Sequence, residues 1–127
     1  MRVLTALLTS AILGAPALAG PPPTADLDPK AASTLLKRLV IANVASSNCT
    51  GYEVSNAQWK FIVDTADQLA NQLGLDSASY DERYYGIAFD ALDNDAQFCA
   101  TQGPLVVPLI EELVARGGTV DKYKITS

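Results

Sequence analysis

Cys49 and Cys99 are the residues whose chemistry is most tightly constrained by this 127-residue sequence. Two thiols allow a single pairing. In an exported chain the oxidising surroundings close such a pair into a disulfide. The loop would hold about 50 residues, for which the chain-entropy model gives roughly 4 kcal/mol. That is a large share of the roughly 5–15 kcal/mol typical of a whole domain. Redox pairs usually sit close together as C-x-x-C, and these cysteines do not. A nucleophilic thiol needs a base, and the chain has no histidine. That absence also excludes an imidazole-based triad and any His-ligated metal site. Cys49–Cys99 is therefore expected to be structural.

The carboxylates offer less. Asp90, Asp93, Asn94 and Asp95 crowd one stretch, but a calcium loop of the EF-hand type needs Gly at its sixth position and Glu at its twelfth. Counted from Asp90 the sixth residue is Asp95, and from Asp93 it is Phe98. A helix end and a cap account for this cluster better. Asp64 and Asp67 share a helix face, as do Asp90 and Asp93. An acid–base pair needs separated pKa values and a cleft, so both pairs are expected to be solvated faces. There is no G-x-S-x-G elbow, no phosphate-cradling glycine loop and no S-x-x-K. Asn48-Cys49-Thr50 fits the N-glycosylation pattern, although a bonded Cys49 would make the asparagine awkward to reach. The sequence thus predicts no catalytic residue, no cofactor site and no metal site.

Aromatic residues gather between positions 52 and 85. Phe61 and Tyr85 fall off the apolar stripes of their helices. Exposed aromatics are favoured anchors in binding surfaces, so this pair is the candidate partner surface. The competing expectation is that both pack under the N-terminal segment or the C-terminal tail.

The elements that would carry these residues are helical. Asp28 and Pro29 mark a helix start, and Leu35, Leu36, Leu39, Val40 and Val44 recur at helical spacing to about Ser46. Asn48-Cys49-Thr50-Gly51 reads as a turn. Ser55 and Gln58 form a capping-box pair ahead of a stripe of Trp59, Ile62, Val63, Ala66, Leu69, Ala70 and Leu73. Gly74-Leu75 reads as a Schellman ending. A third helix is predicted over about Tyr80 to Leu92, with Ser79 and Glu82 as its capping pair. A last helix starts near Val107 or bends at Pro108 and ends at Gly117-Gly118, with Glu112 placed to pair with Arg116. No segment alternates with period two. The predicted fold is all-α, a bundle of about four helices closed by one disulfide.

The first 19 residues look like an export signal: Arg2, an apolar run from Val3 to Ala15, and Ala17-Leu18-Ala19 as a small-x-small cleavage site. The run is too short to span a bilayer, and no later segment reads as long or apolar enough to do so. The domain organisation expected is residues 1–19 as a signal peptide cleaved after Ala19 and 20–28 as a loosely ordered Pro-rich segment. A disulfide-tied helical domain then fills 29–118, and 119–127 is a tail. The chain has 9 Lys and Arg against 14 Asp and Glu. Without Arg2, 8 basic side chains remain and the net charge is −6. An acidic domain without a basic cluster is a poor match for nucleic acid and for anionic membrane surfaces.

The layout resembles small exported bacterial two-cysteine helical proteins of unknown function. The residues that carry the likeness are the signal peptide, a helix ending near Cys49, a second helix closing on Leu73-Gly74-Leu75, and Phe98-Cys99 before a last helix. The resemblance implies a disulfide-tied helical fold and carries no catalytic residues; the single Arg at the start and the Ala-x-Ala end of the signal look bacterial, which would make the compartment the periplasm. The cysteine spacing is also similar, in layout only, to that of acid-activated periplasmic chaperones. The sequence therefore points to a non-catalytic periplasmic or secreted binding or accessory protein with a protein partner. The alternative is an acid- or stress-activated periplasmic chaperone, whose fourteen carboxylates would lose their charge at low pH. An enzyme using carboxylates or a Ser/Lys pair is a third class that no motif supports.

Overall fold

In the computed structural model of the chain, which describes residues 20–124, Asp28 is extended and its side chain accepts a hydrogen bond from the Ala31 amide at 2.8 Å. With Pro29 in the first turn, this starts α1 (Pro29–Asn48). Helix α2 (Asn56–Gln72) opens on the expected capping box: Gln58 N donates to Ser55 Oγ and Ser55 N donates to Gln58 Oε1. It closes on Gly74, whose φ of 68° is the left-handed value that the Schellman turn requires. Leu75 N donates to Ala70 O and Gly74 N to Asn71 O, both at 3.0 Å. Helix α3 covers residues 77–94, α4 is Phe98–Ala115, and α5 is Asp121–Lys124. Five helices and no strand are thus present among the described residues, and Cys49–Cys99 closes the all-α fold.

Two helices differ from expectation. Helix α3 starts at Ser77 because Asp76, rather than Ser79, supplies the cap: its carboxylate accepts from Ser79 N at 2.7 Å. Its middle, Asp81–Tyr85, is wound as a wider π-type turn, with Gly86 N bonded back to Asp81 O. Such a turn inserts a residue and shifts the register of the next helical turns. It lets the consecutive Tyr84 and Tyr85 both reach α1, at Ser33 and Asn43.

Helix α4 starts earlier than Val107. Phe98–Gln102 is α-helical, Gly103–Leu105 tightens to a 3₁₀ turn, and Val106–Ala115 continues. Pro104 and Pro108 sit where the tightened turn has already broken the regular ladder. Contrary to the expectation that nothing after the first segment is long and apolar enough, this helix could cross a membrane by length and composition. A third of it is buried in the domain, where Val106, Leu109, Ile110 and Leu113 fill the core.

The core lies between α1, α2 and α4, around Leu36, Leu39, Phe61, Ile62, Leu69 and Leu113. The Pro-rich segment is strapped onto α2 rather than loosely ordered. Pro22 and Thr24 are buried. Prolines have no N–H and leave carbonyls to be satisfied from outside. Gln68 and Gln72, one turn apart, do so: Gln68 Nε2 donates to Pro22 O at 2.8 Å, and Gln72 Nε2 to Thr24 O at 2.9 Å. The chain's other end meets the same strap, since Thr119 N donates to Gly20 O at 2.9 Å. The export signal expected at residues 1–19 and the last three residues, 125–127, lie outside the described residues.

Candidate functional site

Cys49 ends α1, with its amide bonded to Ala45 O, and it is buried. Cys99 lies in the first turn of α4, and the two Cα atoms are 5.4 Å apart. The bond locks α1 against α4, as the cysteine spacing predicts. A disulfide of this kind marks an oxidising, extracytosolic setting.

Between the same two helices a groove of about 160 Å³ stays open. Ile41 and Ala42 of α1 face Leu105, Pro108 and Leu109 of α4 across it, and Gln102 completes the lining. Arg38 and Glu112 stand in its wall and are joined by two hydrogen bonds: Nη2 to Oε2 at 2.6 Å and Nη1 to Oε1 at 3.2 Å. These bonds hold the Glu112 carboxyl below its usual range and the Arg38 guanidinium above its own. The expected Glu112–Arg116 pair is present but looser, at 3.5 Å. Beside the groove, Lys30, Arg38 and Arg116 line a second shallow depression along α1.

The structure separates Phe61 from Tyr85 and makes neither an exposed anchor. Phe61 is fully buried, which corrects its placement as part of a partner surface. Its face of α2 is covered by Pro22, Gly118 and Tyr123, close enough that a Cβ on Gly118 would lie 2.7 Å from Phe61 Cζ. The Phe61 and Tyr123 rings are 6.4 Å apart. Tyr85 is half-buried; its hydroxyl accepts from Asn43 Nδ2 at 2.9 Å, and its ring meets Tyr80 edge-on. Asn43 Oδ1 also accepts from Trp59 Nε1 at 2.8 Å, so Tyr85 is one arm of a polar tie joining α1, α2 and α3.

The apolar surface is instead made by residues that sequence reasoning does not single out. Leu105, Ile87 and Val107 are each more than half exposed, and Phe89 and Val114 nearly so. One signal for Leu105 and Val107 is readable: α4 carries more apolar residues than its stripe of Leu109, Ile110 and Leu113 can bury.

The carboxylates also move from their expected roles. Asp64 accepts a hydrogen bond from Tyr123 Oη at 2.6 Å, so it is a tie for the tail rather than part of a solvated face. Burial pushes the Asp67 carboxyl up, Tyr80 partly offsets this, and the nearby Asp64 adds a smaller push upward. The Tyr80 hydroxyl is shut off from solvent and lacks a hydrogen-bond partner of good geometry. Burial first, then Tyr85 and Asp67, push its pKa far above the ordinary phenol value. Such a phenol stays protonated at neutral pH. Asp95 Oδ1 accepts from Gln97 N, and Asn94 Nδ2 donates to Asp90 O, as local turn and helix-end contacts. Among the described residues no three His, Cys, Asp or Glu side chains gather to hold a metal ion.

Comparison of the chain with protein-family models, with curated proteins and with solved structures gives no match.

Proposed function

We propose that this chain is a small exported, periplasmic binding protein that holds a protein partner without catalysis, and that the partner docks in the groove between α1 and α4. The observation that carries the reading is the groove itself. It has an apolar lining with Leu105 more than half exposed beside it, and its two walls are cross-linked by Cys49–Cys99. A pre-formed site loses little freedom on binding. The groove's size admits one or two apolar side chains, the usual core of a protein interface. Its margin decides the partner's charge. The domain is acidic, yet Lys30 and Arg38 of α1 and Arg116 at the end of α4 line the depression beside the groove, with Asp28 as its one carboxylate. The occupant that fits is a protein segment presenting an apolar side chain with carboxylates next to it. Export is supported by the pattern of residues 1–19 and by the disulfide.

The test compares Leu105→Glu with Val114→Glu, two substitutions at exposed positions, in protein recovered from the cell envelope. A stoichiometric partner held by the wild type and by Val114→Glu, and reduced at least about tenfold by Leu105→Glu, is the expected result. Equal recovery with Leu105→Glu would remove the groove from the reading.

One observation favours the chaperone as a second reading: two of the ties that hold the fold, Arg38–Glu112 and Tyr123–Asp64, run through carboxylates. Acid that protonates Glu112 would release α4 from α1. Dye binding that stays flat down to pH 3 would end that reading.

A further inference from the structure

We propose, on the docking reading above, that the partner segment is an amphipathic helix lying along the seam between α1 and α4, with an apolar side chain in the groove and a carboxylate two turns away in the basic depression.

The spacing comes from the two helices themselves. Helices α1 and α4 run antiparallel: Cys49 meets Cys99 at one end of the seam, and Arg38 meets Glu112 farther along it. The groove and the depression lie in line on that seam, and Arg38 stands in the walls of both. Ala42 lines the groove, and Leu35, seven positions earlier on α1, lines the depression. Leu109 lines the groove, and Arg116, seven positions later on α4, lines the depression. Seven residues are two helical turns, about 10 Å. Both banks therefore give the same interval. An apolar residue at a free C-terminus holds its carboxylate too close to its side chain to cover that distance. Two residues seven apart on a helix lie on one face and do cover it. The seam between two packed helices also accepts the ridge of a third. An extended segment instead gains its main-chain hydrogen bonds at a sheet edge, and no strand is present among the described residues.

Charge selects the second contact. Lys30, Arg38 and Arg116 line the depression, with Asp28 among them. Asp28 is engaged with the Ala31 amide, and Glu112 in the groove wall is engaged with Arg38 and Arg116. Lys30 forms no salt bridge among the described residues. Asp26 stands with Arg116 in a neighbouring depression, outside this one. Three cations thus face two carboxylates that are already in use, on a chain whose net charge is −5. A partner carboxylate matches this depression and is repelled by the rest of the acidic surface. It therefore sets where along the seam the helix comes to rest.

The probe is a capped peptide of about 20 residues, long enough to be helical in water. It carries two leucines a turn apart at its centre and a Glu seven positions outward from each, so that it can bind in either polarity. A second peptide has the same composition with each Glu four positions outward, on the same face but at the wrong interval. Both are titrated by NMR into nitrogen-labelled protein recovered from the cell envelope. The first is expected to shift the amides of Ala42 and Leu105 and to bind about fivefold more tightly than the second, an advantage that salt at about 0.5 M removes. Lys30→Glu with Arg116→Glu should cancel the advantage and transfer it to a peptide with Lys in place of Glu, which a misfolded variant could not do. Equal binding of the two Glu peptides overturns the spacing. No binding of either, with partner capture still sensitive to Leu105→Glu, overturns the helical occupant and leaves the groove as the docking site. Capture insensitive to Leu105→Glu removes the groove itself, and the helical occupant with it.

Discussion

Arg38 on α1 and Glu112 on α4, 74 positions apart, form a two-pronged ion pair that closes to 2.6 Å. The other two ion pairs among the described residues are local, at i,i+4 and i,i+3. Arg38–Glu112 is thus the charge contact that sets one wall of the groove against the other.

That pair makes the acid limb of stability depend on Glu112. Its carboxyl titrates below the usual value, chiefly because of the hydrogen bond from Arg38. A depressed carboxyl contributes stability that is present above its unfolded pKa and lost as pH falls through its folded pKa. Glu112→Gln therefore flattens the loss of stability below about pH 4.5. The pair is part-exposed, so screening limits its contribution to about 0.5 kcal/mol. Urea midpoints measured from pH 7 down to pH 3 check this.

Cys49→Ser with Cys99→Ser lowers unfolding stability by roughly 4 kcal/mol, the chain-entropy figure for a loop of this span. The two cysteines are 50 positions apart. Denaturant melts of oxidised, reduced and double-serine protein give the number, and the latter two should agree.

Phe61→Ala is expected to cost about 3–5 kcal/mol, as for other fully buried aromatic side chains. Tyr85→Phe removes only the hydrogen bond from Asn43 and should cost about 1 kcal/mol. A small effect at Phe61 would mean that the strap and tail do not cover α2. Both values come from the same chemical melts.

Gly103→Ala adds a Cβ that runs into the Tyr52 ring. Overpacking of this kind costs about 1–3 kcal/mol. Tyr52→Ala in the same chain should remove most of the penalty specific to Gly103, which a double-mutant cycle reads directly.

The helix starts at Asp28 and Ser55, the Gly74 ending and the disulfide are legible in the sequence because each depends on residues close together in the chain or on a single possible pairing. The site is harder to read. Phe61 and Trp59 exchange places: the period of α2 puts Trp59 inward, yet Trp59 is 37% exposed and Phe61 is fully buried. The reason is that α2 is covered on two sides, by α1 and by the strap and tail. With residues 20–28 expected to be loose, the second cover has no source. Gln68 and Gln72, a turn apart on α2, are the available signal, since they supply the donors that a proline run lacks. The groove is not legible at all, because it depends on how α1 and α4 are set against each other rather than on either helix alone.

The Cys49–Cys99 bond has a consequence for damage. Residues 49–99 form a covalent ring, with α1 and α4 as its two arms. A protease that cuts the exposed turn at Gly74–Asp76, between α2 and α3, opens the ring but releases no fragment. The nicked protein remains one molecule of two chains, with its groove walls still joined, until something reduces it.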